Sequence, residues 1–155
     1  LEFLGLEIVG SSSGAEQVLK LGSKINLIGR NEIRLSRGGQ LKLNGGTVST
    51  LRWIDIAEGA TLGGHGQIVG DINNKGTISI EGKGLEIDGE ATLGGTLSIK
   101  TKLDGIRPGK PMTILKATSI KGVFENRDLE IPGKDNFEMI VGYTGTSVTL
   151  TAKKK

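Results

Sequence analysis

A phrase recurs with drift along this chain: Leu43-Asn44-Gly45-Gly46-Thr47-Val48-Ser49, then Ala60-Thr61-Leu62-Gly63-Gly64, then Ala91-Thr92-Leu93-Gly94-Gly95-Thr96-Leu97-Ser98-Ile99. Each copy supplies one apolar strand end, one turn and one strand start. A unit with a single apolar stripe cannot bury it alone, so the copies must stack and share a continuous core. The chain therefore reads as a coiled stack of short strands. Glycine fits that reading: it fills 26 of 155 positions, without a collagen period and with only 3 prolines, against a usual share of about 7%. Aromatics contribute 3%, so the core has to be narrow and built from Leu, Ile and Val, which pack well on a pleated surface.

The apolar beats can be followed along the chain. Leu4, Leu6 and Ile8 alternate before Ser11-Ser12-Ser13-Gly14 interrupts them. The stretch from Ala15 to Leu21 admits one helical turn, but Leu19 and Leu21 alternate around Lys20 and Gly22 follows, which favours a strand. Ile25 with Leu27, Ile33 with Leu35, Leu41 with Leu43, Val48, Ile54 with Ile56, Leu62, Ile68, Ile72, Ile78 with Ile80, Leu85 with Ile87, Leu93, and Leu97 with Ile99 continue the series. Asp55, Ser79, Glu86 and Ser98 take the outward positions, as period-two strands with one buried face require. After about Lys100 the texture changes. Gly105-Ile106-Arg107-Pro108-Gly109-Lys110-Pro111 is rich in proline, and strands are expected over Met112 to Leu115, Phe137 to Tyr143 and Ser147 to Thr151. Tyr143-Thr144-Gly145-Thr146 signals a hairpin. The expected division is coils over 1–103 and a β-rich cap over 104–155 that covers the strand edges of the last coil.

Cysteine is absent, which excludes disulfides, thiolate metal sites and a cysteine nucleophile. The net charge of +3 is accounted for by Lys153-Lys154-Lys155. Without a basic stripe or a set of stacking aromatics, nucleic-acid binding is not expected. No apolar run approaches the roughly 18 residues that span a bilayer, so this stretch is not expected to insert into a membrane. The opening Leu1-Glu2-Phe3 is read as belonging to a piece of a longer protein.

Leu43-Asn44-Gly45-Gly46-Thr47, Gly59-Ala60-Thr61-Leu62-Gly63-Gly64-His65-Gly66, Gly70-Asp71-Ile72-Asn73-Asn74-Lys75-Gly76-Thr77 and Ala91-Thr92-Leu93-Gly94-Gly95-Thr96-Leu97 carry a resemblance. From about Asn44 to Ala152 the chain resembles the passenger-type repeat regions of bacterial autotransporters and related secreted or surface proteins. Gly109, Thr113-Ile114-Leu115, Gly122-Val123-Phe124, Phe137, Tyr143 and Val148-Thr149-Leu150 look like the closing segment of such repeats; the lysine tail lies outside the pattern. The resemblance implies an all-β, right-handed parallel β-helix with a C-terminal antiparallel cap, in an extracellular or cell-surface setting.

Candidate chemistry is sparse. His65, the sole histidine, would have to anchor any metal site or Ser-His-Asp arrangement alone, and it reads better as a solvated loop residue. Asp55 with Glu58, and Asp71 with Asp88 and Glu90, offer outward carboxylates of the kind used in general acid–base work. Outward strand positions are ordinarily polar, however, and a long catalytic groove needs more coils than this chain supplies. Asp71-Ile72-Asn73-Asn74 lacks the nonapeptide repeat of calcium β-rolls, and stacked asparagines bonding along the coil axis explain it better. Neither a metal nor a cofactor is expected.

Trp53 has the parity opposite to Ile54 and Ile56, so its indole should face outward, either as a platform for a sugar ring or packed over a neighbouring corner. Strict alternation turns Arg52 the other way. Two functions follow. The leading one is a non-catalytic structural or adhesive segment of a bacterial secreted or surface protein, with a glycan or cell-surface protein as partner and self-association through the open ends. The alternative is a carbohydrate-binding module of a polysaccharide-processing enzyme, with Trp53, Arg52 and Tyr143 as ligand-binding residues.

Overall fold

The computed structural model describes residues 2–155 apart from 4, 5, 11–16, 23–25, 30, 31 and 104. Leu4, the Ser11-Ser12-Ser13-Gly14 break and Ile25 therefore lie outside the described residues. Every regular element among those described is a strand, and none of these residues is helical. In chain order the strands are β1 (Glu2–Phe3), β2 (Leu6–Ile8), β3 (Gln17–Gly22), β4 (Asn26–Gly29), β5 (Ile33–Leu35), β6 (Gly39–Ile56), β7 (Thr61–Asn74), β8 (Thr77–Thr92), β9 (Thr96–Ile99), β10 (Met112–Lys121), β11 (Asn126–Leu129), β12 (Phe137–Tyr143) and β13 (Ser147–Lys154).

They form one mostly parallel sheet, which does not close on itself. Its path runs β1-β4-β6-β7-β8-β10-β13-β12; β3 and β5 also pair with β6, β2 pairs with β5, and β9 links β8 to β11. Among the described strands, pairing is antiparallel at β10–β13 and β12–β13 and parallel elsewhere. The hairpin signalled by Tyr143 to Thr146 is present, with Tyr143 opposite Val148. Parallel pairing continues well past residue 104, through β10 on β8 and β11 on β9.

The register shows why the chain folds this way. Three apolar columns run across the strands: Leu41, Leu62, Ile78 and Leu97; Val48, Ile68, Ile87 and Ala117; Ile54, Ile72, Ala91 and Ile120. All of these but the half-buried Ile120 are buried, and the columns merge into one aliphatic core. Each fully buried Leu or Ile contributes on the order of 1.5–3 kcal/mol of transfer free energy. The columns succeed one another along a single strand, because β3, β4 and β5 pair in turn with 39–45, 47–50 and 54–56 of β6.

Sequence reasoning breaks β6, β7 and β8 at their glycines, yet the strands run through them. Gly64 and Gly84 hold φ of 101° and 88°, a region open to glycine without steric cost; Gly64 stays paired with Leu43 and Ile80, whereas at Gly84 the ladder to β7 jumps from Ile80 to Leu85. Between strands the backbone stacks on itself. Ala60 O accepts from Thr77 N at 2.9 Å, Gly76 O from Thr96 N at 2.9 Å, and Gly95 O from Asn126 N at 3.0 Å.

Ser98 departs from its outward expectation: it is only 8% exposed. It is flanked by Ser79 on β8 and Asp128 on β11. Strand β11, which the Asn-Arg-Asp-Leu sequence does not announce, is what lies along that side. Asn74, also buried, donates from Nδ2 to Gly94 O at 2.8 Å. The asparagine does bond across to the next turn of chain, to a backbone carbonyl rather than to another asparagine.

Candidate functional site

One register break between β6 and β7 leaves large side chains at the surface: a bulge in β6. Ser49 lies opposite Val69 and Trp53 opposite Asp71, so four residues of β6 span the same stretch as two of β7. Extra residues in one strand are left unpaired and re-aim their side chains. Leu51, Arg52 and Trp53 are consequently all exposed, at 80% for Leu51 and 41% for Trp53. This corrects the expectation for Arg52: alternation assigns it inward, but the bulge resets the parity and turns it to solvent. Alternation resumes at Ile54 and Ile56, both fully buried. A charged residue in a slot that should hold an inward apolar one was the signal available in the sequence.

The bulge is ordered by its own contacts. Trp53 Nε1 donates to Glu32 Oε2 at 3.1 Å, and the other carboxylate oxygen of Glu32 pairs with Arg34 at 2.8 Å. The Arg52 guanidinium lies 5.6 Å from the centre of the Trp53 ring, a cation–π distance worth about 0.5–1 kcal/mol at an exposed site. Arg52 N donates to Thr50 Oγ1 at 3.3 Å. Sequence reasoning did not single out Glu32 or Leu51.

Polar side chains continue from Trp53 along the same direction. Asp71 is its partner on β7, Glu90 follows on β8, and Ser119 on β10 is opposite Glu90. Asp71 Oδ1 accepts from Glu90 N at 2.8 Å, while Glu90 Oε2 takes Ser119 Oγ at 3.3 Å and Lys121 Nζ at 3.2 Å. One step along the strands, Asp55 pairs with Asn73 and Asn73 with Thr92. No hydrogen bond or ion pair engages the Asp55 or Asn73 side chains among the described residues. Asp88 is in a different row, opposite Val69.

The remaining candidates lie apart. Tyr143, on β12, is half-buried against the core; its Oη accepts from Phe124 N at 3.2 Å and its ring centre is 6.5 Å from that of Phe124. Five strand steps separate β12 from β6 in the sheet order, roughly 24 Å at the usual spacing, so Tyr143 does not stand beside Trp53. His65 is not a solvated loop residue: it lies within β7 opposite Asn44, and its Nδ1 is buried with no partner among the described residues. It lines an open groove of about 440 Å³ with Gln67, Lys83, Glu86 and Lys116. Among the described residues no cluster of three His, Cys, Asp or Glu is arranged to hold a metal ion, and no helix is long and apolar enough to cross a membrane. Comparisons with protein-family models, curated proteins and solved structures find no match to this chain.

Proposed function

We propose that the chain is a non-catalytic segment of a bacterial secreted or cell-surface protein, a right-handed parallel β-helix that spaces and displays an outward polar surface. The observation that carries this reading is the succession of parallel pairings. Three consecutive sections of β6 take β3, β4 and β5 on one side and β7 on the other, and the same columns pass on through β8. Successive parallel pairing of this kind supports a three-sided coil, and parallel crossovers are right-handed in about 98% of cases. The antiparallel β12–β13 hairpin then serves as the cap on the last parallel coil, limiting strand addition at that end.

Three of the outward acids are committed to local contacts, which favours display over catalysis. Asp71 holds the Glu90 amide, Glu90 bridges Ser119 and Lys121, and Glu32 fixes Trp53 and Arg34. Carboxylates spent on local structure are poorly placed to transfer protons. The glycine phrases that resemble autotransporter passenger repeats support the bacterial, extracellular setting. The test is antibody labelling of intact bacteria that make the full-length protein: surface signal removed by external protease is expected, whereas signal only after lysis would overturn the reading.

A further inference from the structure

A coil that only spaces has no use for the bulge. Trp53 is held in place twice, by Glu32 at its ring nitrogen and by Arg52 over its ring, and yet remains 41% exposed. Fixing an aromatic ring at the surface removes the entropy that a ligand would otherwise have to offset. Next to the ring stand groups with hydrogen-bonding capacity to spare. Asp71 uses only Oδ1, and Asp55 and Asn73, paired across β6 and β7, have uncommitted side chains among the described residues.

We propose that Arg52, Trp53, Asp55, Asp71 and Asn73 form a binding site for a neutral polysaccharide. One sugar ring stacks its C–H face on the indole, whose π-face accepts such contact. Hydroxyl groups of that sugar and its neighbours donate to the Asp71 and Asp55 carboxylates and exchange bonds with the Asn73 amide, while the Arg52 guanidinium donates to ring or hydroxyl oxygens. The row Trp53, Asp71, Glu90, Ser119 repeats at one strand spacing, about 4.8 Å, so a polymer crossing the strands meets a polar group at each step. The ligand is neutral because an anionic chain would face the two carboxylates of Asp55 and Asp71 against the single guanidinium of Arg52, the nearby cations Arg34 and Lys121 being paired with Glu32 and Glu90. A protein partner fits less well: stable interfaces bury about 800 Å² per partner around a charge-depleted centre, whereas carboxylates flank this ring.

The proposal rests on the display half of the functional reading, but the two fail separately, because surface labelling of intact cells does not depend on sugar binding. The test is affinity electrophoresis of the purified chain through gels containing neutral polymers (xylan, galactomannan, β-glucan) or anionic ones (polygalacturonate, alginate). Retardation by a neutral polymer is expected, with affinity lowered about tenfold or more in Trp53→Ala and several-fold in Asp71→Asn. Leu51→Ala should bind as the parent does. Circular dichroism melts show whether each variant is folded, and Trp53→Phe, which keeps an aromatic face, should retain part of the affinity. Retardation by no neutral polymer, retardation unchanged in folded Trp53→Ala, or binding confined to anionic polymers would each overturn the proposal. So would loss of binding through Leu51→Ala alone, which would point to a protein-type contact.

Discussion

Replacing Gly76 with alanine tests a corner where backbone carbonyls, and the core methyl Ile56 Cγ2 at 3.0 Å from an added Cβ, close in on the glycine. Gly76 has no positive φ, so alanine incurs no backbone strain there and even gains about 0.4–1 kcal/mol from a less flexible unfolded chain. A Cβ at this position, however, would lie 2.4 Å from both Ala57 O and Ala60 O, where real Cβ atoms essentially never come within 3.0 Å. The two carbonyls must move by more than half an ångström. Ala60 O accepts from Thr77 N and Ala57 O from Ala60 N, so movement strains two bonds worth about 1 kcal/mol each. With overpacking added, the net loss is about 3 kcal/mol, or roughly 6–12 °C in Tm for a chain of this size. Gly133 is the control. It follows Pro132 in a turn closed by Lys134 N to Ile131 O, has φ of 74°, and a Cβ there would meet nothing within 4 Å. Gly133→Ala therefore carries left-handed strain alone, about 1–2 kcal/mol, partly offset in the unfolded state. Thermal melts followed at 218 nm rank the two. A Gly76→Ala variant melting at or above Gly133→Ala would refute the claim that neighbouring turns of chain meet at this corner.

Other outcomes follow from single contacts. Leu62→Asp buries an unpaired carboxylate between Leu41 and Ile78 and should abolish the cooperative melt, whereas exposed Glu58→Ala should stay within about 0.5 kcal/mol of the parent; equal melting of the two would remove Leu62 from the core. Asn74→Asp exchanges the donor to Gly94 O for a buried acceptor and should cost about 2–3 kcal/mol at pH 7. Burial raises the pKa of the introduced carboxyl above its unfolded value near ~4, so the deficit should shrink as pH falls from 7 toward about 4 and change little below that; a deficit constant from pH 3 to 7 would contradict this. The ammonium of Lys100 is held above its ordinary value of 10.5 by a hydrogen bond to Asp128, then by the charges of Asp128 and Glu130. Its small contribution is therefore complete below that value and lost as pH rises through the folded pKa. Lys100→Met should lack this part of the alkaline destabilisation, and identical stability profiles from pH 9 to 12 would refute the pairing.

How far the sequence carried the fold depended on how local the signal was. Leu41, Leu43, Val48, Ile54, Ile56, Leu62, Ile68, Ile72, Ile78 and Ile80 are all fully or nearly fully buried, as alternation requires. What alternation could not supply was continuity: glycine is read as a break, although Gly64 and Gly84 turn the chain inside unbroken strands. Strand β11 has no apolar alternation and pairs with the edge of β9, a tertiary effect. At the candidate site, parity placed Trp53 outward correctly but not Arg52, because the bulge is defined only by the mismatch of register between β6 and β7. Glu32 was invisible for a related reason, since its contact with Trp53 spans 21 residues.

The central claim is that a parallel coil stacks along three successive sections of β7 and β8. The chain has no cysteine, so paired substitutions report directly on register: Thr61→Cys with Thr77→Cys, Gln67→Cys with Glu86→Cys, and Asn73→Cys with Thr92→Cys, each pair lateral neighbours. Neighbouring parallel strands place such Cα atoms about 4.8 Å apart, within the 4.4–6.8 Å range of a disulfide. Mild oxidation of the folded protein should close each of the three, whereas pairs offset by two residues, such as Thr61→Cys with Ser79→Cys, should stay reduced. Closure along one section only, or equal closure of the offset pairs, would contradict the stacked coil.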